Sequence, residues 1–271
     1  MYFEQIDRPQ RKREAAELLR TAQVSPKLMT VFYLLIVLLL DLINNFTGGI
    51  LGMFSSVLIL LISVVLGAGY TLYCMALRRG ERAEYVTLFD GFSFAGKIIL
   101  LDIVSSLFVF LWSMLFFIPG IIAAYRYRFA KLNLYENPDM GVFEALNLSK
   151  RQTMGYKSQL FLLDLSYLGW NLAASVPSMV LNILMNQELT QAVLYGIPAT
   201  NVFWGLPMLA WTLVIGVWQI AVSPFYLPNY TCVSLSYFET AKSTSGLGKD
   251  APPQSGNPPF DSGSWTPPDG L

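Results

Sequence analysis

Apolar residues in this chain gather into runs long enough to cross a bilayer, with polar clusters between them. A membrane helix needs about 20 consecutive, mostly apolar residues. The first run extends from Leu28 to about Asn44, and the turn-forming stretch Asn44 to Gly49 ends it. The second runs from Ile50 to Leu77 and stops at Arg78, Arg79 and Arg82. The third follows Lys97 and reaches Phe117, where Pro119-Gly120 predicts a break, since proline removes a helix donor and glycine permits reversal. A shorter fourth run covers Ile121 to Glu136 and closes at Asn137-Pro138. The fifth covers Gln159 to Met185, and the sixth Val202 to Ser223, with a kink expected at Pro207 and an end at Pro224. The expected fold is all-α, a polytopic transmembrane helical bundle of about six spans with a Pro-Gly break between spans three and four.

The fourth run contains Arg126, Arg128 and Lys131, so its crossing needs a second argument. Loop charge supplies one, because basic residues collect on the cytoplasmic side of membrane proteins. Arg8, Arg11, Lys12, Arg13, Arg20 and Lys27 precede the first span, and Arg78, Arg79, Arg82 and Lys97 separate spans two and three. Lys150, Arg151 and Lys157 separate spans four and five, whereas segments 45–49 and 186–201 carry no basic residue. With an even number of crossings all these residues lie on one side. A re-entrant hairpin in place of span four gives the same sidedness. Both termini are then expected in the cytoplasm and the protein in the cell membrane.

Residues 1–27 form a predicted cytoplasmic or interfacial N-terminal helix, with a basic face suited to anionic lipid or to water. The polar start does not resemble a cleaved signal. Residues 28–240 form the membrane domain, and 241–271, rich in Pro, Gly and Ser, a disordered cytoplasmic tail. Phe260 and Trp265 are its candidate docking residues.

Composition narrows the function. Of 271 residues, 54% are hydrophobic and 13% charged, against about 25% charged in a soluble domain. Lys+Arg and Asp+Glu both total 18, so no net charge points to nucleic acid. Histidine is absent, which removes the commonest general base and transition-metal ligand. Cys74 and Cys232 lack metal spacing and read as buried free thiols. No P-loop, dinucleotide turn or nucleophile elbow is present.

Several stretches carry a family likeness. Ala145 to Trp170 (ALNLSKRQTMGYKSQLFLLDLSYLGW), Phe116 to Ala130 (FFIPGIIAAYRYRFA) and Ser223 to Glu239 (SPFYLPNYTCVSLSYFE) resemble the bacterial domain-of-unknown-function 975 family of integral membrane proteins. With the stretch from Arg79 to Phe92, the resemblance spans about residues 10 to 240. It implies a multi-span fold and no established activity. Asp164 stands where the family pattern suggests an apolar or small residue, and Tyr167 where it more often has Phe. The Pro-Gly element is also similar to the membrane domain attached to some glycerophosphodiester phosphodiesterases.

Asp41, Asp102 and Asp164 fall inside apolar runs. Counted from Lys97 and Lys157 at 1.5 Å per residue, Asp102 and Asp164 lie roughly 7–11 Å inside the boundary. Lys131 and Arg128, counted back from Asn137, lie roughly 9–14 Å in. Asp102, Arg126, Arg128, Lys131 and Asp164 therefore form a candidate intramembrane charge layer. Each charge costs about 2.5–3.5 kcal/mol at a span centre, and pairing offsets it. Arg128 is the preferred partner of Asp102 because its planar fork accepts a carboxylate bidentately, with Arg126 and Lys131 as alternatives. The layer reads either as a clip holding spans together or as a cytoplasm-facing pocket, with a lipid phosphate at Arg126 and Arg128 beside Tyr125 and Tyr127.

Trp204, Trp211 and Trp218 share one face of span six as a packing or lipid-facing stripe, and Phe225, Tyr226 and Tyr230 fit an interfacial aromatic belt. The expected function is non-catalytic partner binding or membrane organisation, without a cofactor. The alternative is lipid or solute handling at the charge layer. Expected partners are the bilayer, anionic head groups, and a protein partner or second copy.

Overall fold

The computed structural model describes residues 5–47, 49–195 and 206–245. Among these residues the chain is all-helical. The α-helices are α1 (Arg8–Thr21), α2 (Pro26–Asn44), α3 (Gly49–Arg79), α4 (Ala95–Leu115), α5 (Phe117–Arg126), α6 (Ala130–Glu136), α7 (Val142–Gln152), α8 (Lys157–Tyr195), α9 (Leu206–Val222) and α10 (Leu227–Ser245). Two 3₁₀ segments, Tyr85–Phe94 and Ser223–Phe225, precede α4 and α10.

Three stretches are long and apolar enough to cross a membrane: Pro26–Asn44, Ile50–Arg79 and Tyr85–Leu115. Leu209–Phe225 and Leu227–Thr244, bent by 52°, make a fourth if counted as one span. Their outer faces are oily, with Ile50, Leu51, Met53 and Phe54 on α3 and Phe110, Met114 and Phe117 around the tip of α4 all exposed. Such a sleeve is unfavourable in water at about 25 cal/mol per Å² and at home in lipid.

The spans are tied together differently at their two ends. At one end, Arg78 binds both carboxylate oxygens of Glu239, and Glu136 accepts from Arg79 (3.2 Å) and Lys242 (2.7 Å). There too, Lys97 donates to the Pro138 carbonyl. The packed core lies nearby, built on Tyr73, Phe129, Leu134, Tyr156, Leu160, Tyr237 and Phe238. At the opposite end, Asn45 donates to Thr212 Oγ1 (3.1 Å), and Asn44 meets Ser55 and Ser56. The described basic residues 78, 79, 97 and 242 thus share the first end.

Glycine sets two of the close approaches. Gly80, at φ 71°, closes α3: its N–H reaches the Leu77 carbonyl, and the Glu81 N–H reaches Ala76. The 3₁₀ segment can then lie on α3, because a Cβ on Gly69 would stand 1.8 Å from the Leu88 carbonyl oxygen.

The reversal after α4 falls at Phe116, whose backbone is extended (φ −159°, ψ 147°), and Pro119 and Gly120 lie in the first turn of α5. This corrects the expected Pro-Gly break. Gly120 matters for another reason: a Cβ there would meet Ser113 Oγ at 2.0 Å, so its absence lets the two arms of the hairpin touch. Further down the hairpin, the rings of Phe108 and Tyr127 lie 5.9 Å apart and Lys131 Nζ reaches Asp102 Oδ1 at 2.6 Å.

The returning arm, expected as one helix over 121–136, consists of α5 and α6 of 10 and 7 residues. At about 1.5 Å per residue neither alone matches a hydrocarbon core of about 30 Å. The break between them is hydrogen-bonded. The Arg126 carbonyl accepts from Ser149 Oγ (2.8 Å) and Thr153 Oγ1 (3.3 Å), and the Phe129 N–H donates to Ser149 Oγ (3.1 Å). All three bonds involve α7 or its C-terminus, so the freed backbone groups have partners in the interior.

The remaining elements refine the expected boundaries. α8 extends to Tyr195 and contains Pro177. Pro207 is the second residue of α9, where proline starts a helix rather than kinking it. Pro224 sits in the 3₁₀ link, and the chain continues as α10 through Ser245, so residues 241–245 are helical. Phe260, Trp265 and Trp204 lie outside the described residues. α1 packs on the bundle: Arg8 Nη1 and Lys12 Nζ donate to the carbonyls of Leu162 (3.3 Å) and Ser166 (3.4 Å), and Asn229 donates to the Lys12 carbonyl (3.1 Å).

Candidate functional site

Arg128 stands in the turn between α5 and α6, where the helix break frees its side chain to reach α8. Its Nη1 meets Asp164 Oδ2 at 2.6 Å and its Nη2 meets Oδ1 at 2.9 Å. Tyr125 donates to Oδ2 (2.8 Å) and Tyr230, from α10, donates to Oδ1 (2.9 Å). Arg128 Nη2 also donates to the Tyr230 oxygen (2.7 Å). One carboxylate therefore collects a planar fork and two phenols from three helical regions. The guanidinium side chain is 17% exposed and the carboxylate 31%. Charge-assisted, bidentate geometry of this kind is among the strongest a protein makes.

The pairing within the charge layer differs from expectation. Asp102 takes Lys131 (2.6 Å), while Arg128 takes Asp164. The cause is the hairpin register. Reversal at Phe116 brings position 131 opposite 102, while Arg128 turns away from α4 toward α8. Asp102 and Ser106, one helical turn apart, also line a groove of about 590 Å³ between α3 and α4, otherwise walled by Leu60, Leu61, Val64, Ile99, Ile103, Leu107 and Phe110.

Arg126 makes no ion pair among the described residues, and its Nε is buried without a hydrogen-bond partner. Its field reaches Lys157 at the start of α8. Burial holds the Lys157 ammonium below the usual lysine range, and the charges of Arg126 and Lys150 lower it further. The predicted layer thus separates into two closed pairs and Arg126, which lies near Lys150 and Lys157.

Sequence reasoning missed Tyr230 as a ligand of Asp164 and placed it in an interfacial belt. Tyr230 is half-buried, and its belt neighbour Tyr226 is buried, stacked on Trp170 with ring centroids 6.1 Å apart. Phe225 alone of the three is exposed, with Lys27 Nζ 4.9 Å from its ring centroid. A signal for Tyr230 existed: a phenol three residues beyond a proline-rich turn, next to Asn229, suits an inward polar contact as well as an interface. Cys74 and Cys232 are buried and free, as expected, and they meet between α3 and α10, which no spacing rule could show. Trp218 donates to the Ala173 carbonyl (2.9 Å), so it packs α9 on α8.

Residues 114–244 match the model of a family described as "Protein of unknown function (DUF975)". This is the family whose pattern the sequence resembles, and the match establishes the likeness over the returning arm of the hairpin and everything described after it. Arg126, Arg128, Lys131, Lys150, Lys157, Asp164 and Tyr230 lie inside the match, whereas Asp102 and the Arg79 to Phe92 stretch lie outside it. No curated protein and no solved structure matches the chain.

Proposed function

We propose that this chain, matched over residues 114–244 by an uncharacterised family, is a non-catalytic multi-span membrane protein that organises lipid or a protein partner at its cytoplasmic face. An even number of crossings puts both termini in the cytoplasm, with α4 and α5 forming a hairpin that returns the chain to the side it entered from and α6 lying in the cytoplasmic cap. The bridges of Lys97 to Pro138 and of Glu136 to Arg79 and Lys242 support this sidedness, because they return the hairpin to the end from which it left.

The observation that carries the functional reading is the closure of the Arg128–Asp164 pair by Tyr125 and Tyr230. A carboxylate so fully occupied serves as a clip between α5, α8 and α10 rather than as a free acid or base. The clip holds the helices beneath a cytoplasmic cap made of α1, α6, α7 and α10, and that cap is the surface available to partners.

The test is charge reversal. Arg128→Asp or Asp164→Arg alone should unfold the protein in detergent, and the double exchange should restore part of the lost stability. If both single variants stayed folded but lost a bound solute, the clip reading would be abandoned.

The groove beside Asp102 and Ser106 favours a second reading, lipid or solute handling. Under it, Asp102→Asn should abolish retention of a co-purified ligand while leaving the fold intact.

A further inference from the structure

Arg126, the one base left over when the charge layer pairs off, meets two lysines from outside the layer: its carbonyl accepts from Ser149 Oγ (2.8 Å), next to Lys150, and its charge acts on Lys157. Arg126 ends α5, Lys150 lies in the last turn of α7, and Lys157 opens α8. No acidic residue occupies the first turn of α8, so its free N–H groups add positive potential on the same side. Among the described residues, the charges that act on Lys157 are those of Arg126 and Lys150, both repulsive. The buried Arg126 Nε, which has no hydrogen-bond partner, leaves this basic cluster short of one anion.

The surroundings indicate where that anion sits. α7 buries Val142, Ala145, Leu146, Ser149 and Gln152 and turns Phe143 and Lys150 outward, with Met154 exposed just beyond it. Ile122 on α5 and Phe161 on α8 continue the exposed apolar surface toward the membrane sleeve. An exposed aromatic and a methionine beside lysine are the composition of a surface at the head-group level.

We infer that Arg126, Lys150 and Lys157 bind the phosphate of an anionic membrane lipid at the cytoplasmic boundary, with Phe143 and Met154 meeting its acyl region. This rests on the membrane reading proposed above and names the lipid chemistry of its cytoplasmic face. Arg128, expected to share this phosphate, is held by Asp164 and takes no part. The phosphate diester would replace mutual repulsion by charge-assisted hydrogen bonds.

The experiment uses the full chain in dodecyl maltoside, with lipid binding followed by native mass spectrometry. Phosphatidylglycerol, phosphatidylcholine and inorganic phosphate are the probes. The wild type should bind phosphatidylglycerol at least about tenfold more tightly than phosphatidylcholine, since each basic residue near an anionic surface contributes about fivefold. Lys150→Gln with Lys157→Gln should cut that preference about 25-fold by the same arithmetic, leaving at most the contribution of Arg126. Arg13→Gln with Arg20→Gln removes equal charge from α1 and should keep the preference. Lys150→Glu, on the exposed face of α7, gives an independent variant that should also lose it.

Equal binding of both lipids by the wild type would overturn the inference. So would an undiminished preference without both lysines, an equal loss in the α1 control, or displacement of the lipid by equimolar inorganic phosphate. Failure of the membrane reading is distinguishable, since the protein would then stay dispersed without detergent.

Discussion

Arg128 and Asp164 face each other across the gap between a broken helix and α8, Nη1 to Oδ2 at 2.6 Å and Nη2 to Oδ1 at 2.9 Å. The pair exists because α5 stops at Arg126, so the next two side chains leave the helix surface. Had the helix continued to Glu136, Arg128 would have kept to the arm facing α4, and Asp164 would have lacked its fork.

Removing one partner of such a pair leaves the other charge uncompensated. Asp164→Asn is expected to destabilise the protein by about 3 kcal/mol, a fall in Tm of about 5–10 °C at this chain length. Tyr125→Phe and Tyr230→Phe each delete one hydrogen bond to the carboxylate and should cost about 1–2 kcal/mol. Thermal unfolding in detergent should rank Asp164→Asn above both.

Close approach of α3 and the 3₁₀ segment makes Gly69 intolerant of any side chain. Gly69→Ala drives a methyl into the Leu88 carbonyl oxygen, 1.8 Å from the Cβ position, and should cost about 1–3 kcal/mol as overpacking. Gly67→Ala is the control, since its Cβ would meet nothing nearer than the Tyr33 hydroxyl at 3.8 Å. Limited proteolysis at Arg79 and Arg82 should accelerate in the first variant and stay unchanged in the second.

Lys157 gives a pH signature. Its folded-state pKa lies below the ordinary lysine value, first through burial and then through Arg126 and Lys150. Protonated Lys157 therefore opposes folding. That opposition is complete below the folded pKa, is relieved as pH rises through it, and is gone above the unfolded value of about 10.4. In a zwitterionic detergent, the stability difference between wild type and Lys157→Gln should shift in favour of the wild type as pH climbs toward the lysine range. A flat difference curve would contradict the cluster.

Much of this fold was legible because the apolar runs at 28–44, 50–77 and 97–117 have no rival interpretation. The break in the returning arm was not. Tyr127, Arg128 and Phe129 include neither glycine nor proline, and what stabilises the break is Ser149 and Thr153, some 20–27 residues further on. Local sequence carries no mark of a partner at that distance. The charged positions could be picked out from rise per residue alone. Their pairing depended on where the hairpin turned. Placing the turn at Phe116 puts Lys131 opposite Asp102, a deduction available from the sequence once the register is known. Tyr230 and the Cys74–Cys232 contact depend on α10 folding back into the core, and its polar composition concealed that.

Sidedness tests the central claim most directly. Single cysteines at Thr47 and Lys150, in a chain whose native thiols are buried, should be treated with a membrane-impermeant maleimide on intact cells. Thr47→Cys should react at once, and Lys150→Cys only after the membrane is permeabilised. Rapid labelling of Lys150→Cys in sealed cells would contradict the topology, and with it the basic cytoplasmic face on which the lipid site depends.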